Sequence, residues 1–355
     1  MRAFIISMAA VFVTALGSRA AAAAWECPRG FAPKAGVNVE FPHKGRMRSF
    51  VVYPPEGGGS GPSPVWLPLT GTVESTDNNL TTPRSGANAL MAKQGWMVIG
   101  PVRQCAEGDA AYRGPKCDGV GKGGWNWTPW NDGRAAGPEG DQWQADAGPD
   151  ASFFKAAIRC VGTKWKLDQK RFYLGGISAG GTMTNRALLY DSAFWAGGAP
   201  LSGEWYVTKD DGVGMTFNDA RAYVAANPDK VVQGRVGPYP LPRRVLPMIV
   251  VTVWGGEKDL WDCGPPLGLC SDYRPSTQAG ANYFSSQPNV VHVACSSQDG
   301  HRWPATRTQE FNTWVLRTLA SHPKGAGMKN FKLTPPPEGY TCKVGRYADH
   351  YPHAG

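Results

Sequence analysis

Hydrophobic and polar positions along this chain follow two alternating rhythms. Short apolar, β-branched runs predict strands at residues 37–41, 48–53, 65–69, 96–100, 171–174, 195–199, 248–254 and 290–294. Between them, apolar residues recur at three- and four-residue spacing over 84–93, 151–161, 181–189, 277–284 and 308–320, which predicts helices. Strands that alternate with helices bury both faces of a mostly parallel sheet, so the expected class is α/β.

Two stretches break the rhythm, 101–149 and 203–246. The first is Gly-rich and carries Trp125, Trp127, Trp130 and Trp143; the second holds Trp205, Tyr206 and a Pro-rich run at 236–243. Loops this long inside a compact domain are usually functional or disordered, and their tryptophans argue against disorder. No internal repeat or separating linker is visible, so residues 25–355 are expected to form one domain with insertions at those two places. Residues 322–355 read as a Pro- and Gly-rich tail pinned by Cys342.

Composition changes the picture in three respects. Gly (45) and Pro (30) make up about a fifth of the 355 residues, below the roughly 25–30% that marks low complexity, so a folded, loop-rich protein is expected. The start of the chain, Met1-Arg2, an apolar run over 3–16 and small residues up to Ala24, reads as a secretory signal over 1–24. Its apolar core is shorter than the roughly 20 residues of a spanning helix, so no membrane anchor is expected and the mature chain should be periplasmic or secreted. Losing Arg2 and Arg19 with the signal removes two of the nine net positive charges. The remaining Lys and Arg are scattered and not interleaved with aromatics, which argues against a nucleic-acid partner.

The eight cysteines all follow the signal, an even number in a disulfide-permissive compartment. Short loops favour Cys105 with Cys117 and Cys263 with Cys270. Cys27 with Cys342 would tie the termini, leaving Cys160 with Cys295 as the remainder. Without a C-x-x-C or paired histidines at ligand spacing, no zinc site is expected, and nothing asks for a cofactor.

The most specific signal is Gly176-Ile-Ser178-Ala-Gly180, a G-x-S-x-G entered from a predicted strand and followed by a predicted helix. That context suits a nucleophile elbow, where a sharp turn strains the serine backbone and flanking glycines remove colliding side chains. The competing reading is a strand-to-helix turn with a capping serine. A serine hydroxyl needs an imidazole to take its proton and a carboxylate to hold that imidazole. In the elbow folds the chain order is serine, acid, histidine. Asp259 lies just past the strand 248–254, with Glu257 and Asp262 as nearby alternatives; His301 lies past the strand 290–294. The other five histidines are badly placed: His43 precedes the elbow, His292 sits inside a strand, and His322, His350 and His353 belong to the tail.

Amide donors for an oxyanion are expected at Ala179 and in the turn Thr70-Gly71-Thr72, where Thr72 is either a donor or ordinary turn chemistry. Trp125, Trp127 and Trp130 in one loop suit either core packing or a groove for a long, mainly uncharged chain. Trp261 and Trp303 similarly either line a site or support their loops.

Several segments together resemble the oxidised polyvinyl alcohol hydrolases: Trp25-Glu-Cys-Pro28, Phe41-Pro-His-Lys-Gly45, Val73-Glu-Ser-Thr76, Gly124-Trp-Asn-Trp127, the run 176–186 around Ser178, Trp254-Gly-Gly-Glu-Lys-Asp-Leu-Trp261, and Val290 to Ser297. The resemblance runs over nearly the whole mature chain. It implies an α/β-hydrolase fold related to polyhydroxyalkanoate depolymerases, and cleavage of a carbon–carbon bond in the β-diketones of an oxidised synthetic polymer. It also implies Ser178, Asp259 and His301 as nucleophile, acid and base, with Thr72, Ala179 and Trp261 as oxyanion hole and aromatic wall. The same triad would serve a polyester depolymerase or carboxylesterase, and a Trp-rich loop on a degenerate hydrolase fold would serve a polymer-binding protein.

Overall fold

Alternation along the central strands sorts the apolar residues into two layers. In β3 (Ser63–Leu69), Val65, Leu67 and Leu69 join one buried cluster and Trp66 another, as a two-residue period requires. The computed structural model describes residues 24–57, 61–71, 91–102, 148–203, 244–261, 271–301, 308–328 and 331–345. Its other main-sheet strands are β1 (Gly36–His43), β2 (Arg46–Tyr53), β4 (Met97–Val102), β5 (Leu167–Ile177), β6 (Gly197–Leu201) and β7 (Met248–Trp254). After a small ribbon of β8 (Leu260–Trp261) and β9 (Ser271–Asp272) come β10 (Val290–Ser296) and β11 (Thr341–Val344).

The order across the nine-stranded sheet is β1-β2-β4-β3-β5-β6-β7-β10-β11. From β4 to β10 neighbours run parallel; β1, β2 and β11 join antiparallel at the edges. Helices α1 (Gly148–Val161), α2 (Ala179–Tyr190) and α3 (Tyr273–Ser286) contribute to the first cluster, which holds Phe153, Phe154, Met183, Leu188 and Phe284. Helix α4 (Thr308–Ala320) contributes Phe311, Trp314 and Leu319 to the second. A mostly parallel sheet with a buried cluster on each face agrees with the α/β-hydrolase fold that the resemblance implies.

Some boundaries differ for identifiable reasons. Strand β5 runs through Gly175 and Gly176, beyond the expected 171–174. Those glycines mark close approach: a Cβ on Gly175 would lie 2.4 Å from the Trp66 ring, and one on Gly176 would lie 2.1 Å from the Leu69 carbonyl oxygen. Strand β6 lies two residues beyond the expected 195–199. Helix α3 starts at Tyr273 instead of 277 and holds Pro275 in its first turn, where a missing N–H costs no helical bond. The expected helix 84–93 falls mainly outside the described residues, with 91–93 helical. Part of the tail is strand β11, paired along β10.

The disulfides correct two expected pairs. Cys27 is bonded to Cys160 and Cys295 to Cys342, not Cys27 to Cys342 or Cys160 to Cys295. Pairing by proximity to the termini missed that Cys295 and Cys342 face each other across the β10–β11 ladder. Cys27 instead lies against α1, where Trp25 and Cys27 pack on the first cluster. Cys105, Cys117, Cys263 and Cys270 lie outside the described residues. Native bridges typically contribute about 2 to 5 kcal/mol. The Cys27–Cys160 bridge spans 133 residues and the Cys295–Cys342 bridge 47. In the chain-entropy view, replacing Cys27 and Cys160 by serine should cost about 1 kcal/mol more in urea unfolding than replacing Cys295 and Cys342. Equal losses, or none, would contradict that view.

Candidate active site

Four neighbouring parallel strands, β5, β6, β7 and β10, end on the same side of the sheet. The residues that follow them converge. Ser178 comes directly after β5 with φ 56° and ψ −122°, a region that L-residues seldom occupy and that marks strained turns. The strain comes from a turn held between two strand ends. The Ser178 amide donates to the Leu201 carbonyl at 3.0 Å. A Cβ on Gly180 would meet the Leu69 carbonyl oxygen at 2.3 Å, and one on Gly181 the Leu201 carbonyl oxygen at 2.4 Å. Only glycines let the turn close this tightly. Ser178 precedes α2 yet makes no side-chain cap hydrogen bond, so the capping reading of this serine fails.

Asp259 lies past β7 on a turn in which its amide donates to the Gly256 carbonyl at 2.9 Å. It is completely buried. Its Oδ1 lies 2.8 Å from His301 Nδ1, while its Oδ2 accepts from the Ser202 hydroxyl at 2.7 Å and the Gly255 amide at 2.9 Å. Glu257, the neighbouring candidate, is exposed; Asp262 lies outside the described residues.

His301 follows β10, and its loop is tied to the acid's turn: Gly300 N–H donates to the Gly255 carbonyl at 2.8 Å and His301 N–H to the Lys258 carbonyl at 3.3 Å. An ionised carboxylate only accepts, so Nδ1 carries the hydrogen and the neutral ring keeps its lone pair on Nε2. That tautomer can take a proton. The other described histidines are built into the scaffold. His292 sits between Thr252 and the Gly345 carbonyl. His43 is pushed down to about 4, mainly by burial and then by Arg48 and Lys44, and burial lowers His322 as well.

Tyr273 and Ser202 join this cluster without having stood out in the sequence. The Tyr273 ring stacks on His301 with centroids 4.1 Å apart and planes 12° apart. Its hydroxyl lies 3.5 Å from Ser178 Oγ, and its amide donates to the Asp259 carbonyl at 3.2 Å. One tyrosine thus touches all three of Ser178, Asp259 and His301. No local pattern marks it, because every one of these contacts joins distant parts of the chain.

Of the remaining candidates, Ala179 is the first residue of α2, and Trp261 ends β8 opposite Ser271. Thr72, Trp125, Trp127, Trp130 and Trp303 lie outside the described residues. Among the described residues no group of three or more His, Cys, Asp or Glu side chains could hold a metal ion.

No family model matches the chain. It is, however, 63% identical over 344 residues to an oxidized polyvinyl alcohol hydrolase of Sphingopyxis sp. (strain 113P3), covering 97% of this chain and 94% of that protein. The chain belongs to the oxidized polyvinyl alcohol hydrolase family. Solved structures agree: native sOPH is 65% identical, with 92% of this chain and 99% of that chain covered and a TM-score of 0.77. An alanine-for-serine variant of pOPH in complex with pNPB is 61% identical, with 94% and 100% covered and a TM-score of 0.76. Membership of the oxidized polyvinyl alcohol hydrolases, together with the fold, makes the protein a hydrolase.

Proposed function

We propose that the protein cleaves the carbon–carbon bond of β-diketones in oxidised polyvinyl alcohol through an acyl-enzyme on Ser178. The likeness to the oxidized polyvinyl alcohol hydrolases over nearly the whole chain carries this reading, since a serine beside a buried Asp–His pair would serve any acyl transfer. His301 Nε2 takes the Ser178 proton as Oγ attacks one carbonyl of the 1,3-diketone. Asp259 holds Nδ1 and stabilises the imidazolium that forms. The amides of Ala179 and Thr72 are the proposed donors to the oxyanion; the first N–H groups of a helix have no intrahelical partner, which favours Ala179.

Collapse of the tetrahedral intermediate breaks the bond to the carbon between the two carbonyls. That carbon leaves as an enolate, because the second carbonyl delocalises the electron pair. The imidazolium returns its proton to give a methyl ketone. Water, deprotonated by His301, then attacks the acyl-enzyme, releasing a carboxylic acid and restoring Ser178. The polymer substrate is proposed to lie along Trp261 and Trp127. The disulfides and the absence, among the described residues, of any helix long and apolar enough to cross a membrane are consistent with a periplasmic or secreted enzyme.

Purified protein given an aliphatic 1,3-diketone should release methyl ketone and carboxylic acid in equal amounts. Turnover of p-nitrophenyl esters with the diketone left intact would favour the esterase reading instead. Replacing Trp261 by alanine should reduce kcat/KM on the polymer by about tenfold or more, the scale of a lost aromatic contact, and on a short diketone by much less. Equal losses on both would count against a polymer groove.

A further inference from the structure

We propose that Ser202 is a positioning residue for the reaction: its hydroxyl fixes the buried Asp259 carboxylate, and so His301, while its turn braces the backbone around Ser178. This rests on the serine-hydrolase reading above. Ser202 follows β6 and is 3% exposed. Its hydroxyl donates to Asp259 Oδ2 at 2.7 Å, leaving Oδ1 for His301. Its amide donates to the Val253 carbonyl at 3.0 Å, and the preceding Leu201 carbonyl accepts from Ser178 N–H at 3.0 Å. On the other side, a Cβ on Gly203 would fall 2.5 Å from the Gly181 carbonyl carbon and 2.7 Å from the Thr182 nitrogen. Three consecutive residues therefore touch the nucleophile's turn and the acid at once.

The backbone adds a second, independent argument. Ser202 has φ +42°, a conformation uncommon for residues with a Cβ and easiest for glycine. A residue used only to make this turn would best be glycine. The side chain kept here has a buried hydroxyl directed at the acid.

Without that hydroxyl, Oδ2 of the completely buried carboxylate would retain only the Gly255 amide. A carboxylate with fewer donors holds a proton more readily, and it also favours the imidazolium over the neutral ring. Both effects move the acid limb of the rate profile in the same direction, toward higher pH. The other titratable groups around the pair are Tyr273, stacked on the ring, and the exposed Glu257 and Lys258 on the acid's own turn. Asp299, two residues before His301, accepts from the Tyr340 hydroxyl at 3.0 Å, and Arg274 lies over the Trp254 ring.

The test compares Ser202→Ala with Ser202→Gly in the mature protein. It follows the rate at which an alkyl fluorophosphonate labels Ser178 across the pH range, alongside kcat and KM on a 1,3-diketone and the Tm. Both variants should label about 10- to 100-fold more slowly, as expected for losing a hydrogen bond to a charged group. The acid limb should move to higher pH, with KM little changed. Glycine relieves the positive φ, so its Tm should equal or exceed that of the alanine variant while its reactivity falls equally. A glycine variant labelled at the wild-type rate would overturn the proposal, as would slower labelling of both variants with an unmoved acid limb. Wild-type protein that is not labelled at all would overturn the serine-hydrolase reading instead.

Discussion

Replacing Ser178 by alanine should lower kcat by about a million-fold, the scale on which serine hydrolases depend on their nucleophile. Stability should stay within about 0.5 kcal/mol of the wild type, because the half-buried hydroxyl caps no helix and alanine tolerates the same turn equally well or badly. The two measurements belong together. A dead variant with an unchanged Tm locates the chemistry at Oγ, whereas parallel loss of activity and folding would point to damage at the elbow. Covalent labelling by a fluorophosphonate should vanish as well, and labelling that persists would place the nucleophile elsewhere.

The second large effect is expected for Asp259→Asn. The Oδ2 position receives two donors, Ser202 O–H and Gly255 N–H, so the asparagine amide must orient its oxygen there and its NH2 group toward His301. An NH2 group only donates. His301 Nδ1 must then accept, which moves the ring hydrogen to Nε2 and leaves no lone pair facing the serine proton. This wrong tautomer should cost about 10⁴-fold in kcat, as the same exchange does in serine proteases. Nitrogen NMR of the labelled histidine should show the hydrogen on Nε2 in the variant and on Nδ1 in the wild type. A variant that keeps the wild-type tautomer and near-normal kcat would remove Asp259 from the proposed mechanism.

Much of this arrangement is legible locally. Ser178, Asp259 and His301 each stand just past an apolar run and beside glycines, so a reader of the chain can mark them as strand-end positions. The α/β layout is legible for the same reason, since the two periodicities differ. What escapes is everything set by contact between distant segments. Gly175 and Gly176 look like strand breakers, but Trp66 and Leu69 come too close to allow side chains there. Ser202 and Tyr273 carry no motif, because Ser202 meets Asp259 across 57 residues and Tyr273 meets Ser178 across 95. Cysteine pairing failed similarly: Cys295 meets Cys342 through a ladder that a Pro-rich tail does not advertise.

The most direct test of the proposed chemistry is acid quenching of the enzyme within its first turnovers on a 1,3-diketone, followed by mass analysis of the Ser178 peptide. The expected result is a peptide heavier by the acyl group of the diketone, appearing together with released methyl ketone and absent from Ser178→Ala. Ketone release with no acyl group on Ser178 at any time would contradict it.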